Sequence, residues 1–118
     1  MKARWLALAL MTALAALSYA PVASPTAASQ NATTVTVTMK EFKFILSKRT
    51  VPHGVVTFKL VNKGALPHDF KIAGKKSKMV GPGKTALFKV TLTAGSKKYI
   101  CTVPGHAAGG MKGTLRVT

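Results

Sequence analysis

From residue 34 to the end of the chain, apolar and polar residues alternate with a period of two, and this pattern restricts the fold more than any other feature. In "TVTVTM", Val35, Val37 and Met39 alternate with threonines, and "VVTFKLVN" and "TALFKVTL" repeat the pattern. Successive side chains of a strand point to opposite faces, so such alternation predicts strands with one buried face. "EFKFIL" continues it, with Phe42 and Phe44 predicted to face the core together.

Short turn sequences separate these runs. Glycine, proline and asparagine are prominent in "VPHG", "NKG", "GPGK", "TAGS" and "VPGH", and these residues favour turns. No segment of this part of the chain shows a convincing helical stripe. Several short strands at this spacing predict an all-β domain, either an antiparallel sandwich or a barrel.

The amino terminus has a different composition. Lys2 and Arg4 precede an apolar run and then small residues, in the sequence "MKARWLALALMTALAALSYA", which is the pattern of a secretory signal peptide. The apolar run from Trp5 to Leu17 is shorter than the roughly 20 residues of a membrane-spanning helix. We therefore predict a signal peptide over residues 1–20, cleaved between residues 20 and 28; an uncleaved membrane anchor is the alternative.

Two further segments follow the signal peptide. Residues 21–33 are small, polar and proline-containing, which predicts a flexible leader. Residues 34–118 are predicted to form one folded domain with a modest core. The protein is expected to be exported to the periplasm or another extracytoplasmic compartment, and to be a monomer.

The charge of the chain restricts its partners. Eighteen basic residues face two acidic ones, Glu41 and Asp69, for a formal net charge of +16. Such a charge favours encounter with an acidic protein, and also attraction to an anionic membrane surface. A nucleic-acid partner is not expected, because the chain lacks a basic helix and aromatic–basic recognition patterns, and because export argues against it.

The single cysteine lies in a short segment with two other metal-binding residue types. "CTVPGHAAGGM" contains Cys101, His106 and Met111, spaced C-x4-H-x4-M. A lone cysteine in an exported protein pairs with another chain, stays free or binds a ligand, and these neighbours favour the last option. Upstream, "NKGALPHDF" places His68 near the start of another strand. Two neighbouring strands would bring it beside the loop.

These side chains restrict the metal. Thiolate and thioether ligands favour reduced copper, and imidazole suits both oxidation states. Two histidines and one cysteine in a plane, with a distant methionine, describe a blue-copper site, whereas structural zinc does not take methionine. Gly105, Gly109 and Gly110 are predicted to supply the unusual backbone angles of the loop. Taken singly, each ligand still has an ordinary alternative as a buried thiol, a loop histidine or a core methionine.

The stretches "NKGALPHDF" and "YICTVPGHAAGGMKGTLRV" together resemble the cupredoxins, the plastocyanin and azurin superfamily of small blue copper proteins. The resemblance covers nearly all of residues 34–118. It implies an antiparallel Greek-key β-sandwich and one type 1 copper ion, with His68, Cys101, His106 and Met111 as ligands. The loop spacings differ from those of plastocyanin and azurin, so the subfamily is left unassigned.

The resemblance also implies roles for residues around the ligands. The residue after the first histidine, here Asp69, is expected to donate its backbone N–H to the cysteine sulfur and to bond through its side chain near Thr102. A solvated carboxylate at a strand edge is the alternative for Asp69. His106 is expected to be the exit for electrons, through an apolar patch formed by Ala65, Leu66, Pro67, Pro82, Pro104, Ala107 and Ala108.

The function predicted from these features is one-electron transfer between redox partners, with transient docking to an acidic redox protein. A copper carrier or buffer that delivers the metal to another protein is the alternative, because the same ligands would serve it. An enzyme is not expected, since the His-x-His and His-Cys-His arrangements of copper oxidases are absent from the sequence. The complete ligand set argues against a relative that has lost its metal.

Overall fold

The structure is a computed structural model, and it describes residues 15–16, 18–21 and 32–118. The predicted signal peptide and leader lie largely outside the described residues. Strands make up the regular structure of the described part: β1 (Thr33–Lys40), β2 (Lys43–Leu46), β3 (Thr50–Val51), β4 (Gly54–Asn62), β5 (Lys71–Ile72), β6 (Lys75–Lys76), β7 (Thr85–Leu92), β8 (Gly95–Ile100) and β9 (Lys112–Val117). None of the residues that the structure describes forms a helix long and apolar enough to cross a membrane.

The strands form two sheets. One has the order β2-β1-β4-β7 and the other the order β3-β9-β8-β5-β6. The chain crosses repeatedly between the sheets, and the predicted all-β sandwich is confirmed. Most strand pairs are antiparallel, as predicted, but β1 pairs with β4 and β3 pairs with β9 in parallel. Both sheets are therefore mixed.

The inner faces of the two sheets meet in one apolar core. The alternating residues predicted to face inward on β1, β4 and β9 are buried, and they are Val35, Val37, Met39, Val56, Phe58, Leu60, Leu115 and Val117. Phe70 joins the layers, with its ring centroid 5.0 Å from that of Phe58 in one sheet and 5.3 Å from that of Tyr99 in the other. The prediction for Phe42 is wrong: its side chain is 43% exposed, because β1 ends at Lys40 and Phe42 lies in the turn before β2.

The order of the strands brings the predicted ligands to one end of the sandwich. Cys101 directly follows β8, and Met111 directly precedes β9. These two strands pair antiparallel as far as Ile100 and Lys112, so residues 101–111 form the loop that connects them. His68 lies on the segment between β4 and β5. Strand β8 lies between β9 and β5 in the sheet and pairs with both, so the segment that carries His68 leads into a strand next to β8.

Candidate metal centre

The loop from Cys101 to Met111 is closed by backbone hydrogen bonds. The N–H of Cys101 donates to the carbonyl of Met111 at 3.0 Å, and the N–H of Met111 donates to the carbonyl of His106 at 3.0 Å. The N–H of His106 in turn donates to the carbonyl of Val103 at 3.0 Å. These bonds fix the three predicted loop ligands relative to one another, and Met111 is fully buried.

The loop glycines serve two different purposes. Gly105 and Gly110 have φ angles of 82° and 122°, which are conformations that side chains disfavour. Gly109 does not share this property, contrary to expectation. A Cβ atom at Gly109 would lie 3.1 Å from Cγ of Phe42, so this glycine allows Phe42 to approach the loop closely.

A second network of hydrogen bonds holds His68. Its N–H donates to the carbonyl of Val80 at 3.1 Å, and the N–H of Val80 donates to the carbonyl of His68 at 2.8 Å. The buried amide of Asn62 donates to the carbonyls of Leu66 at 2.8 Å and Val80 at 2.9 Å. Asn62 was not identified from the sequence, and it anchors the segment that leads into His68.

The structure brings His68, Cys101 and His106 together. One donor atom of each lies within 4.8 Å of the others, and all three residues are buried. The Nδ1 atoms of the two histidines are 3.1 Å apart, and Sγ of Cys101 lies 3.6 Å from Nδ1 of His106. These separations fit one ion at the bond lengths of about 2.0 to 2.3 Å that imidazole and thiolate make to a first-row metal.

Glu41 contacts the outer side of this cluster, and the sequence analysis assigned it no role. Its Oε1 atom lies 3.2 Å from Nε2 of His68 and accepts hydrogen bonds from the N–H groups of Ala65 at 2.8 Å and Leu66 at 2.7 Å. The one available signal was its rarity, because the chain has only two acidic residues.

The environment of Cys101 has opposing effects on its thiol. Burial is the main influence, and it raises the pKa of Cys101 above the ordinary thiol value. The nearby backbone N–H groups of Asp69 and Val103 act in the opposite direction, since polar N–H groups stabilise a thiolate. The metal-free chain therefore favours the protonated thiol.

Asp69 joins the His68 segment to the Cys101 loop. Its Oδ1 accepts a hydrogen bond of 2.6 Å from the N–H of Thr102, and its Oδ2 accepts one from the Thr102 hydroxyl. The alternative of a solvated carboxylate is wrong, because Asp69 is fully buried. Its nearest counter-charge is Nζ of Lys76, at 4.0 Å.

His106 lies closest to the surface among the three clustered residues, with 7% of its area exposed. Among the apolar residues predicted to surround it, Ala107 is half-buried. The others are exposed, and they are Ala65, Leu66, Pro67, Pro82, Pro104 and Ala108. Phe42 was missed, and its ring packs edge-on against His106 with centroids 5.1 Å apart.

Comparison with known proteins gives one family and a set of similar structures. The model of the cupredoxin-like domain family matches residues 6–117. An auracyanin from the photosynthetic bacterium Roseiflexus castenholzii, in its dithionite-reduced form, is 26% identical, with a TM-score of 0.66 over 73% of this chain and 97% of that chain. Among curated proteins there is no significant match.

Two other similar structures show the fold alone. Auracyanin A, a blue copper protein from the green thermophilic photosynthetic bacterium Chloroflexus aurantiacus, is 24% identical, with a TM-score of 0.64 over 74% of this chain and 99% of that chain. A blue copper oxidase from Nitrosomonas europaea is 18% identical, with a TM-score of 0.59 over 73% of this chain and 38% of that chain.

Proposed function

This chain belongs to the cupredoxin-like family, whose model spans residues 6–117, and we propose that it is an exported protein that carries single electrons on one type 1 copper ion. The observation that carries this proposal is the buried convergence of His68, Cys101 and His106, with donor atoms within 4.8 Å of one another. Imidazole and thiolate donors are those that a blue-copper site uses. Auracyanin A, whose fold is similar, is itself a blue copper protein, which agrees with this assignment.

The donor atoms of the site suit one metal ion. His68 and His106 offer Nδ1 and Cys101 offers Sγ, and the thioether of the buried Met111 is the expected fourth ligand. Bound copper supplies one-electron redox chemistry, since it has two accessible oxidation states. The hydrogen bonds of the 101–111 loop hold the donors in one arrangement, and burial of the side chains excludes water from them.

The surface around His106 is suited to brief docking. Phe42 packs against His106 and is 43% exposed, as is Leu66 of the predicted patch, and small apolar contacts of this kind permit transient complexes. We infer that electrons leave through the His106 ring. The partner is proposed to be an acidic redox protein. Without Lys2 and Arg4 of the signal peptide, the exported chain keeps 16 of the 18 basic residues against two acidic ones, and this positive charge would steer an oppositely charged partner.

Export is part of the proposal and rests on the amino-terminal sequence. The basic start, the apolar run and the small residues that follow have the order of a secretory signal. The proposed location is the periplasm or another compartment outside the cytoplasm. Fusion of residues 1–33 to a reporter that is active only after export tests this, and a reporter that stays inactive would contradict it.

A carrier of electrons is favoured over a carrier of copper by the closed geometry of the site. The donors are buried and the loop is tied to itself, which favours retention of the ion over its release. An enzyme is not proposed, because the His-x-His and His-Cys-His arrangements of copper oxidases are absent from this sequence.

Copper retention through redox cycles tests the proposal. The mature protein, loaded with one equivalent of copper, is reduced and reoxidised repeatedly in the presence of a chelator, and its copper content is then measured. We expect one ion per chain throughout, and loss of the ion from H106A. H53A is the matched control, because His53 is exposed and bonds through Nδ1 to the carbonyl of Thr118. Transfer of copper to the chelator on each reduction would instead establish a copper carrier.

A further inference from the structure

Glu41 places one carboxylate oxygen within hydrogen-bond distance of three nitrogen atoms. It lies in the turn between β1 and β2, and its Oε1 accepts from the N–H groups of Ala65 and Leu66 while it contacts Nε2 of His68 at 3.2 Å. Its side chain is only 27% exposed. One of the two acidic residues of a strongly basic chain is thus directed at a candidate copper ligand.

The contact determines which ring nitrogen of His68 is available. An ionised carboxylate can only accept hydrogen bonds, so Nε2 of His68 must carry the proton. The lone pair of the neutral ring then lies on Nδ1, which faces His106 at 3.1 Å. Carboxylates behind metal-binding histidines commonly fix the tautomer and the ring orientation in this way.

The backbone is shaped around the carboxylate. A Cβ atom at Gly64 would overlap both carboxylate oxygens of Glu41. Gly64 itself is held by its N–H, which donates to Oδ1 of the buried Asn62 at 2.9 Å. The segment that leads into His68 therefore has a glycine where the carboxylate needs space, as well as two amides that hold it.

The charge of Glu41 acts on the site through His68. The backbone N–H groups of Ala65 and Leu66 both donate to this carboxyl group, and hydrogen bonds to a carboxylate favour its negatively charged form. A negative charge behind a ligand stabilises the more positive oxidation state of a metal more than the less positive one. The same contact raises the basicity of the ring, so that the imidazole is a stronger metal ligand.

We infer that Glu41 is a positioning residue of the copper site, which holds His68 as the Nε2–H tautomer and stabilises oxidised copper relative to reduced copper. The inference deepens the proposed function and rests on it for the effect on copper. The effect on the ring does not require copper, because the contacts of Glu41 are made by the chain itself.

Three variants separate the parts of this inference. E41A removes the acceptor and the charge, whereas E41Q keeps an acceptor oxygen and removes only the charge. G64A leaves Glu41 intact and displaces its carboxylate by sterics. T91K is the matched control, because it changes the net charge by the same amount as E41Q at an exposed position on β7.

The first readout is the tautomer of His68 in the metal-free protein, measured from the ¹⁵N chemical shifts of its ring. We expect a single Nε2–H form in the wild type and in T91K, and a mixture of tautomers in E41A and G64A. A mixture in the wild type, or an unchanged Nε2–H form in E41A, would overturn the positioning role. This readout remains decisive even if the wild type binds no copper, a result that would defeat the proposed function alone.

The second readout is made on the copper-loaded protein. We expect E41A to bind Cu(II) about 10- to 100-fold more weakly and to have a higher reduction potential, with a rise in potential also in E41Q. Potentials and affinities in E41A and E41Q that match those of T91K would overturn the stabilisation of oxidised copper. Thermal denaturation of each metal-free variant shows whether it is folded before either readout is interpreted.

Discussion

The carboxylate of Asp69 accepts a hydrogen bond of 2.6 Å from the backbone N–H of Thr102, and this contact joins the segments that carry two of the proposed copper ligands. Asp69 directly follows His68, and Thr102 directly follows Cys101. The two residues are 33 positions apart in the chain. The bond therefore couples the position of the imidazole to that of the thiolate.

Replacement of Asp69 by alanine is predicted to weaken both the fold and the site. Hydrogen bonds to charged groups contribute about 1.5–3 kcal/mol each to stability, and D69A leaves the Thr102 N–H without its acceptor. We expect a lower melting temperature of the metal-free protein, faster loss of copper and a shifted reduction potential. D69N is the control, since its amide oxygen still accepts from Thr102. If D69A kept the potential and copper retention of the wild type, Asp69 would have no role at the site.

Copper loading is predicted to release the proton of Cys101. Burial raises the pKa of this thiol, so the metal-free chain holds the proton at neutral pH, whereas a metal binds the thiolate. The apparent copper affinity should therefore rise with pH, by about tenfold per unit for one proton, and level off above the thiol pKa. This is measured above about pH 7.5, where ordinary histidines are already neutral.

Proton release itself is measured with a pH indicator in weakly buffered solution as copper is added. C101A supplies the background from other groups, and the wild type should release one more proton than this variant. Equal release by the two proteins would mean that Cys101 is not a ligand, or that its thiol is already ionised.

The lysine-rich surface is predicted to control the rate of electron transfer through salt. With a small anionic oxidant such as hexacyanoferrate(III), the second-order rate constant should fall as ionic strength rises, because salt screens the attraction. With a cationic cobalt(III) complex as the control oxidant, the rate constant should rise. Stopped-flow absorbance of the copper-loaded protein gives both rates. The same salt dependence for both oxidants would show that the net charge has no influence at the electron exit.

The sequence predicted that the three proposed loop ligands share one loop, because their spacing is local. Cys101, His106 and Met111 occupy one short hairpin loop, and glycines with positive φ were expected within it and are present at Gly105 and Gly110. The period-two pattern predicted the buried faces of the strands for the same reason. His68 approaches the loop from another part of the chain, so its placement depended on the assumption that two neighbouring strands bring it there.

The features that the sequence did not predict depend on pairing and on turn geometry. Side chains alternate identically in parallel and antiparallel ladders, so the parallel pairing of β1 with β4 has no signature in the pattern. The turn between β1 and β2 interrupts the alternation, which places Phe42 against His106 and Glu41 against His68. The period-two pattern therefore does not predict where the side chains of this turn lie.

The central claim is a copper–thiolate redox site at Cys101, and the visible absorption spectrum of the mature protein tests it most directly. The spectrum is recorded after addition of copper, first oxidised and then reduced, beside that of C101A. The account predicts an intense blue band that bleaches on reduction and is absent from the variant. A protein that binds no copper, or one whose coloured band persists in C101A, would contradict it.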